Sequence, residues 1–160
     1  MKPLITNIVA AVTGTDASIF AAKYGIVLAK QYHCRLTAVY VVDTATIRQL
    51  MLSKIFLKEE GAEYERSLET NGNRYLDFVE ELANAKNVKI DRVMRKGAIY
   101  TEILHTAEEK KADLILLGGW EKDTHTRDII GHSHREIMAN AKCSVVLVKE
   151  PNIDQIYKHA

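Results

Sequence analysis

The sequence is poor in proline and cysteine, and its positive and negative charges nearly balance. Pro3 and Pro151 are the only prolines and stand near the ends, so no proline-rich linker divides the chain. Cys34 and Cys143 stand far apart and outside any C-x-x-C pair, which predicts free thiols. Because 22 Lys and Arg oppose 21 Asp and Glu, the charge gives no electrostatic case for nucleic acid or an anionic membrane as a partner.

Long hydrophobic runs are also missing. No apolar run approaches the roughly 20 residues that span a bilayer, and no secretory h-region stands at the start. We therefore expect a cytoplasmic protein with no membrane partner. At 160 residues and 47% hydrophobic content, a single domain over residues 1–160 can bury a sizeable core.

Strand-like and helix-like segments alternate along the chain. Apolar runs predict strands over residues 7–12, 35–42, 88–94, 113–117 and 144–149. Helical spacing predicts helices over residues 16–31, 59–86, 100–111 and 127–141, the first opened by Asp16. This alternation indicates an α/β, three-layer, doubly wound fold with a five-stranded parallel sheet in the order 3-2-1-4-5. Strands 1 and 4 are then neighbours, and ligands bind beyond their carboxyl ends.

Residues 44–87 are too long for an ordinary connection, and we interpret them as a crossover with a helical insertion. The apolar segment 44–58 is expected to be a short helix or a mobile flap. It either packs on its own domain or serves as a lid over the nucleotide site or a surface for a protein partner. Gly72 is expected to bend or break the helix that follows. The core then covers residues 5–149, and residues 150–160 form a tail.

Three sequence features resemble the universal stress protein (UspA-like) family. Strand 1 leads into Val12-Thr-Gly-Thr-Asp16, strand 2 ends in Tyr40-Val-Val-Asp43, and strand 4 leads into Gly118-x2-Glu121-x9-Gly131-His132. The resemblance implies a Rossmann-like, adenine nucleotide alpha hydrolase-like fold and a homodimer. One branch of that family binds ATP through G-x2-G-x9-G-(S/T), and another lacks this motif and binds no ATP.

The nucleotide motif departs from the family pattern at three places. Glu121 replaces its middle glycine, His132 replaces its final hydroxyl residue, and Thr13 stands where the family has an aspartate. The resemblance therefore implies a regulatory protein of the stress response, either nucleotide-binding or nucleotide-free. A slow ATPase or nucleotide-transfer enzyme using Asp16, Glu121 or a histidine is the alternative, although no catalytic or metal-binding set is recognised.

If a nucleotide binds, the resemblance implies that Ala11 to Thr13 and Val41 frame the base and ribose. It implies that Gly118, Gly131, His132, Ser133 and His134 frame the phosphates. The helix after strand 4 would offer the N–H groups of His132, Ser133 and His134 to the phosphates of ATP or AMP. If Glu121 binds Mg²⁺ beside the phosphates, its negative charge becomes favourable for nucleotide binding. The predicted site comprises Ala11, Val12, Thr13, Val41, Leu117, Gly118, Trp120, Gly131, His132, Ser133 and His134.

Two structural interpretations stay open for these residues. Ser133-x-x-Glu136 matches a capping box, which would make the loop a structural helix start without a ligand. Trp120 either stacks on a base or covers the edge of the core. Strand 5, Ser144–Lys149, is expected to be an exposed edge that pairs with a second copy of the chain.

Overall fold

A computed structural model describes residues 2–119 and 124–160, with the side chains of residues 124–130 left out. Strands and helices alternate along it. The strands are β1 Asn7–Val12, β2 Arg35–Val42, β3 Ile90–Lys96, β4 Leu114–Gly118 and β5 Ser144–Val148. The helices are α1 Asp16–Tyr32, α2 Thr44–Leu52, α3 Lys58–Asn84, α4 Ile99–Glu109, α5 Thr124–Asn140 and α6 Ile153–Lys158.

The five strands form one parallel sheet in the order β3-β2-β1-β4-β5. This confirms the predicted fold class and strand order. The register pairs Ala10 with Leu116, so the end of β1 lies beside the end of β4. The turns that follow these two strands therefore start side by side. Strand β3 begins two residues later than predicted, at Ile90, because the Val88 amide still donates a hydrogen bond to the Ala83 carbonyl of α3.

Each face of the sheet carries its own helices and its own core. Alternate residues of β1 point to opposite faces, as the strand period of two requires. Ile8 and Ala10 pack with residues of α1 and α3, whereas Val9 and Ala11 pack with residues of α4 and α5. None of the described helices combines the length and apolarity that crossing a bilayer requires.

The long crossover folds as two helices, and the second is continuous through Gly72. The expected bend there is wrong, because Gly72 serves close packing. A Cβ atom at this position would lie 2.5 Å from the ring of Tyr40 and 2.8 Å from Met94. Glycine thus lets the backbone of α3 lie directly on strands β2 and β3. Within the predicted segment 44–58, α2 ends at Leu52 and α3 begins at Lys58.

The predicted tail contains a sixth helix. Ile153 of α6 is buried, and the Tyr157 hydroxyl donates a 2.7 Å hydrogen bond to the Leu82 carbonyl at the end of α3. Lys23 of α1 pairs with Asp154 of α6 at 2.6 Å. Residues beyond Glu150 therefore hold α1 and α3 together on one face of the sheet.

Helix α5 begins at Thr124, earlier than the predicted start at Arg127. Gly131 then lies about two turns inside the helix and does not open it. The unpaired N–H groups of an α-helix are those of its first four residues, so the amides of residues 132–134 are committed to intrahelical bonds. The predicted phosphate cradle of His132, Ser133 and His134 amides is therefore wrong, and so is the predicted capping box at Ser133.

Side chains in this part of α5 lie in different environments. Ser133 and His134 are buried, and Ile137 packs in the core with β1 and β4. His132 is exposed, and its ring meets Tyr100 of α4 edge to face at 6.0 Å. Loss of solvation on burial lowers the pKa of the His134 imidazole to about 4, because the charged form is disfavoured away from water.

Replacing Gly72 with alanine should destabilise the fold. A Cβ atom at Gly72 would lie 2.5 and 2.6 Å from two carbons of the rigid Tyr40 ring, so we expect G72A to lower the free energy of unfolding by about 1–3 kcal/mol in urea titrations. Gly61 of the same helix is the matched control, because its Cβ would meet the flexible thioether of Met51. G61A should be neutral or stabilising by up to about 1 kcal/mol. Equal losses in both variants would contradict the close-packing role of Gly72.

Burial of His134 should make stability depend on pH. The folded-state pKa lies below the ordinary 6.5, so the unfolded chain takes up the proton first as the pH falls. The contribution is intact above pH 6.5 and lost as the pH falls towards about 4, amounting to about 2 kcal/mol between pH 7 and pH 5. H134L should flatten this part of the stability curve in denaturant titrations. H132Q, changed at an exposed position, should follow the wild type, and an unchanged slope in H134L would refute the assignment.

Candidate functional site

The turn after β1 is shaped by a glycine and two threonines. Gly14 has a φ of 81°, a left-handed conformation that glycine adopts without strain. The Thr13 and Thr15 hydroxyls are 3.0 Å apart. Thr15 caps α1, accepting a hydrogen bond from the Ser18 amide, while Ser18 accepts one from the Thr15 amide. The cap is therefore Thr15, and Asp16, predicted to open the helix, lies in its first turn.

Gly118 ends β4 directly against the start of α1. A Cβ atom at Gly118 would lie 2.6 Å from the Ala17 carbonyl carbon and 2.8 Å from the Ser18 amide nitrogen. The missing side chain therefore lets the protein's own helix approach the sheet. This packing explains a glycine here without a bound phosphate.

A cavity of about 390 Å³ lies at the opposite, amino-terminal end of the sheet, between the ends of α4 and α5. A second one, of about 310 Å³, lies at the carboxyl edge, where the ligand site of such a fold is expected. It sits over the ends of β1 and β2 and is bounded by α2, α3 and α4. Its lining consists of Val12, Thr13, Tyr40, Val41, Asp43, Thr46, Tyr64, Leu68, Ile99 and Ile103. This second cavity, the carboxyl-edge pocket, is at the lower end of the volumes of small-molecule sites.

Most of the lining is apolar, and its polar groups cluster where β1 and β2 end. The Asp43 carboxylate caps α2, accepting hydrogen bonds from the Thr46 amide at 3.0 Å and the Thr46 hydroxyl at 2.7 Å. The Thr13 hydroxyl adds a donor or acceptor from β1. A mainly apolar pocket with a few convergent polar groups is typical of a small-molecule site.

Tyr40 forms part of the wall and is held by a second tyrosine. Its ring stacks on Tyr75 of α3, with centroids 6.4 Å apart and planes inclined by 17°. Burial, reinforced by the neighbouring Tyr75 and Tyr64, raises the pKa of the Tyr40 phenol. Tyr40 therefore remains a neutral phenol at physiological pH.

The predicted site residues divide into three groups. Val12, Thr13 and Val41 line the carboxyl-edge pocket together. Ala11 and Leu117 are buried in the core, and Gly118 packs on α1. In α5, Gly131, Ser133 and His134 are buried and His132 contacts Tyr100. Trp120 and Glu121 lie outside the described residues.

The helical part of the pocket was missed by sequence reasoning. Tyr64 and Leu68 reach it from α3, and Ile99 and Ile103 reach it from α4. Both pairs stand at a spacing of i, i+4, which places their side chains on one face of a helix. That spacing indicates an apolar stripe on each helix. It does not indicate that the two stripes face the same cavity.

Comparison with known proteins agrees with this architecture. The model of the universal stress protein family matches residues 5–149. Universal stress protein MJ0531 of Methanocaldococcus jannaschii is 35% identical over 155 residues, which cover 92% of this chain and 84% of the relative.

Solved structures show the same fold at lower identity. A universal stress family protein from Burkholderia pseudomallei superposes with a TM-score of 0.71 at 20% identity, covering 92% of this chain and 98% of that one. An Arabidopsis thaliana family protein with AMP bound gives 0.62 at 13% identity, covering 90% and 91%. The Archaeoglobus fulgidus universal stress protein in complex with dAMP gives 0.62 at 14% identity, covering 92% and 100%. Together with the family match over residues 5–149, these findings establish that the chain belongs to the universal stress protein family.

Proposed function

We propose that this protein is a cytoplasmic regulatory protein of the stress response that binds an adenine nucleotide in the carboxyl-edge pocket. The observation that carries the proposal is the pocket itself, which Val12, Thr13 and Val41 line at the end of the sheet. Family members of the same fold are known with AMP and with dAMP bound. Those ligands share an adenine base and a sugar, which sets the ligand class that we propose here.

The apolar part of the pocket suits the base, and its polar part suits the ribose. Val41, Leu68 and Ile103 offer flat apolar contact, which removes the faces of a base from water. The Thr13 and Thr46 hydroxyls are able to exchange hydrogen bonds with sugar hydroxyls. Tyr64 offers an aromatic ring that a base is able to stack on.

The nucleoside half of the ligand is proposed to supply most of the affinity. The described lining contains no Lys or Arg side chain, and its one carboxylate, on Asp43, disfavours a nearby phosphate. The α5 amides at positions 132–134, expected to hold phosphates, are intrahelical. ATP, AMP and adenosine should therefore bind with similar strength, with little dependence on Mg²⁺.

A binding role is favoured over catalysis by the state of the same carboxylate. Both Asp43 oxygens already accept hydrogen bonds from Thr46, and these bonds cap α2. Each oxygen keeps a second lone pair, but the two bonds hold the carboxylate in one orientation at the start of α2. Asp43 therefore orders the pocket wall, and the described lining offers no second carboxylate, lysine or histidine to act as a general base.

Calorimetric titration tests the nucleotide proposal. We expect adenosine, AMP and ATP each to bind at up to millimolar concentration, with and without Mg²⁺. V41F should abolish binding, because its phenyl ring fills the pocket that the half-buried Val41 lines. L57F makes a comparable enlargement at a side chain that is 65% exposed and outside the lining, so it should bind like the wild type.

Two outcomes would overturn the nucleotide proposal. The first is the absence of heat for all three ligands at millimolar concentration. The second is undiminished binding to V41F, which would place the ligand elsewhere. Binding of ATP without adenosine would refute the part of the proposal that assigns the affinity to the nucleoside half.

We also propose that the regulatory unit is a homodimer paired through β5. This strand is the last in the sheet order, so one of its edges is not covered by any other strand among the residues that the structure describes. Its residues Val145, Val146 and Leu147 are half-buried, which makes an uncovered edge prone to pairing. Pairing with its copy would satisfy the edge with two-fold symmetry.

Light scattering and hydrogen exchange test the dimer and its interface. We expect twice the mass of the chain at tens of micromolar, and stronger amide protection in residues 144–148 as concentration rises. The double variant L52S/L57S is the control, because Leu52 and Leu57 form an exposed apolar surface at the α2–α3 junction. It should remain dimeric. Dissociation of that variant would assign the interface to the 44–58 segment, and a strict monomer would refute the proposal.

A further inference from the structure

A groove between α1 and α3 has the features of a second ligand site, separate from the carboxyl-edge pocket. It encloses about 630 Å³, within the range of small-molecule sites. Its walls are two stripes with the spacing i, i+3, i+4, i+7, from Asp16 to Lys23 on α1 and from Asn71 to Phe78 on α3. Both helices run from the carboxyl edge of the parallel sheet to its amino edge. The two rows of side chains therefore run in the same direction along the groove.

The floor of the groove is aromatic and partly exposed to solvent. Phe20 is 38% exposed and Phe78 is 44% exposed, and Tyr75 lies between the two helices. Burying such surfaces under an apolar ligand contributes roughly 25 cal/mol per Å². The floor therefore favours a ligand with an apolar body.

The rim of the groove supplies one uncommitted cation. Lys23 is paired with Asp154, whereas the Arg74 guanidinium makes no ion pair with any residue that the structure describes. Asp16 is the acid on the rim, and it lies in the first turn of α1, where the helix dipole partly offsets its charge. A guanidinium donates two parallel hydrogen bonds to a carboxylate, which makes a carboxylate the preferred polar group of the ligand.

The size of the groove favours a small molecule over a protein. Seven residues of helix extend about 10 Å, whereas a stable protein interface buries about 800 Å² on each partner. A groove of two helical turns matches an extended chain of about eight carbon atoms.

We propose that the α1–α3 groove binds a hydrophobic carboxylate, with its apolar body on Phe20 and Phe78 and its carboxylate on Arg74. None of these features of the groove rests on the proposed nucleotide binding. Tyr75 nevertheless joins the two regions, because it lines the groove and stacks on Tyr40 of the carboxyl-edge pocket.

Octanoate is the probe, titrated into the full chain and followed by the NMR shifts of backbone amides. We expect saturable shifts in residues 16–23 and 71–78, with a dissociation constant on the order of 1 mM. 1-Octanol has the same apolar body without the charge, and octylammonium reverses the charge. Octanoate should bind more tightly than either.

Two variants of the same helix separate the charge of Arg74 from general effects. R74Q should weaken octanoate binding about tenfold and leave 1-octanol unchanged, because only the charged hydrogen bonds are lost. R66Q makes the same change at an exposed position of α3 outside the groove and should bind octanoate like the wild type. Wild-type stability of both variants in urea shows that folding is intact.

The proposal is overturned by any of four results. These are no saturable shift, equal binding of octanoate and octylammonium, equal weakening in R74Q and R66Q, and shifts centred on residues 13, 41 and 46. The last result would place the carboxylate in the carboxyl-edge pocket.

Discussion

The direct contact of α3 with β2 and with the turn after β1 is the constraint on which both proposed sites depend. Gly72 leaves no side chain between the helix and Tyr40, and Gly14 leaves none between the turn and Tyr75. Placed at this depth, α3 presents Tyr64 and Leu68 to the carboxyl-edge pocket. Further along, its next turns face α1 and form the groove. A side chain at either glycine would force the helix outward and change both cavities.

The contact between Tyr40 and Tyr75 links the binding free energies of the two cavities. Their rings stack, and each lines a different cavity. A ligand that displaces Tyr75 would remove support from Tyr40, and the converse also holds. Because coupling of binding free energies is reciprocal, any effect of a groove ligand on the nucleotide would be matched by an equal effect in the other direction.

The fold accounts for the two outer glycines of the altered motif without a bound ligand. Gly118 is needed because the first turn of α1 lies against it, and Gly131 lies inside α5, where the amides of the following residues bond within the helix. His134, predicted to face phosphates, is buried, and its depressed pKa keeps it neutral. Gly118 therefore has a packing role and Gly131 lies within a helix, so neither is strong evidence for phosphate binding. The better evidence for a ligand site is the pocket over β1 and β2.

Alternation of apolar strands and amphipathic helices was sufficient to predict the parallel sheet and its strand order. The spacing of hydrophobic residues identifies each element, and the right-handed crossover rule leaves few possible topologies. Three short motifs also predicted the family, and Val12, Thr13 and Val41 line one cavity at the carboxyl edge of the sheet. Helix starts were less predictable: Thr15 rather than Asp16 caps α1, and α5 begins at Thr124, since capping depends on side-chain geometry that spacing does not specify.

The sequence by itself thus determined the architecture and the edge of the sheet where ligands gather. Only the tertiary structure decided which side chains share a cavity. Tyr64 and Ile103 lie far apart in the chain and meet because α3 and α4 pack on opposite faces of one sheet and converge at its edge. A local sequence pattern indicates which face of a helix is apolar. A cavity forms between elements, and its size depends on how closely the helices approach the sheet, which the glycine contacts determine.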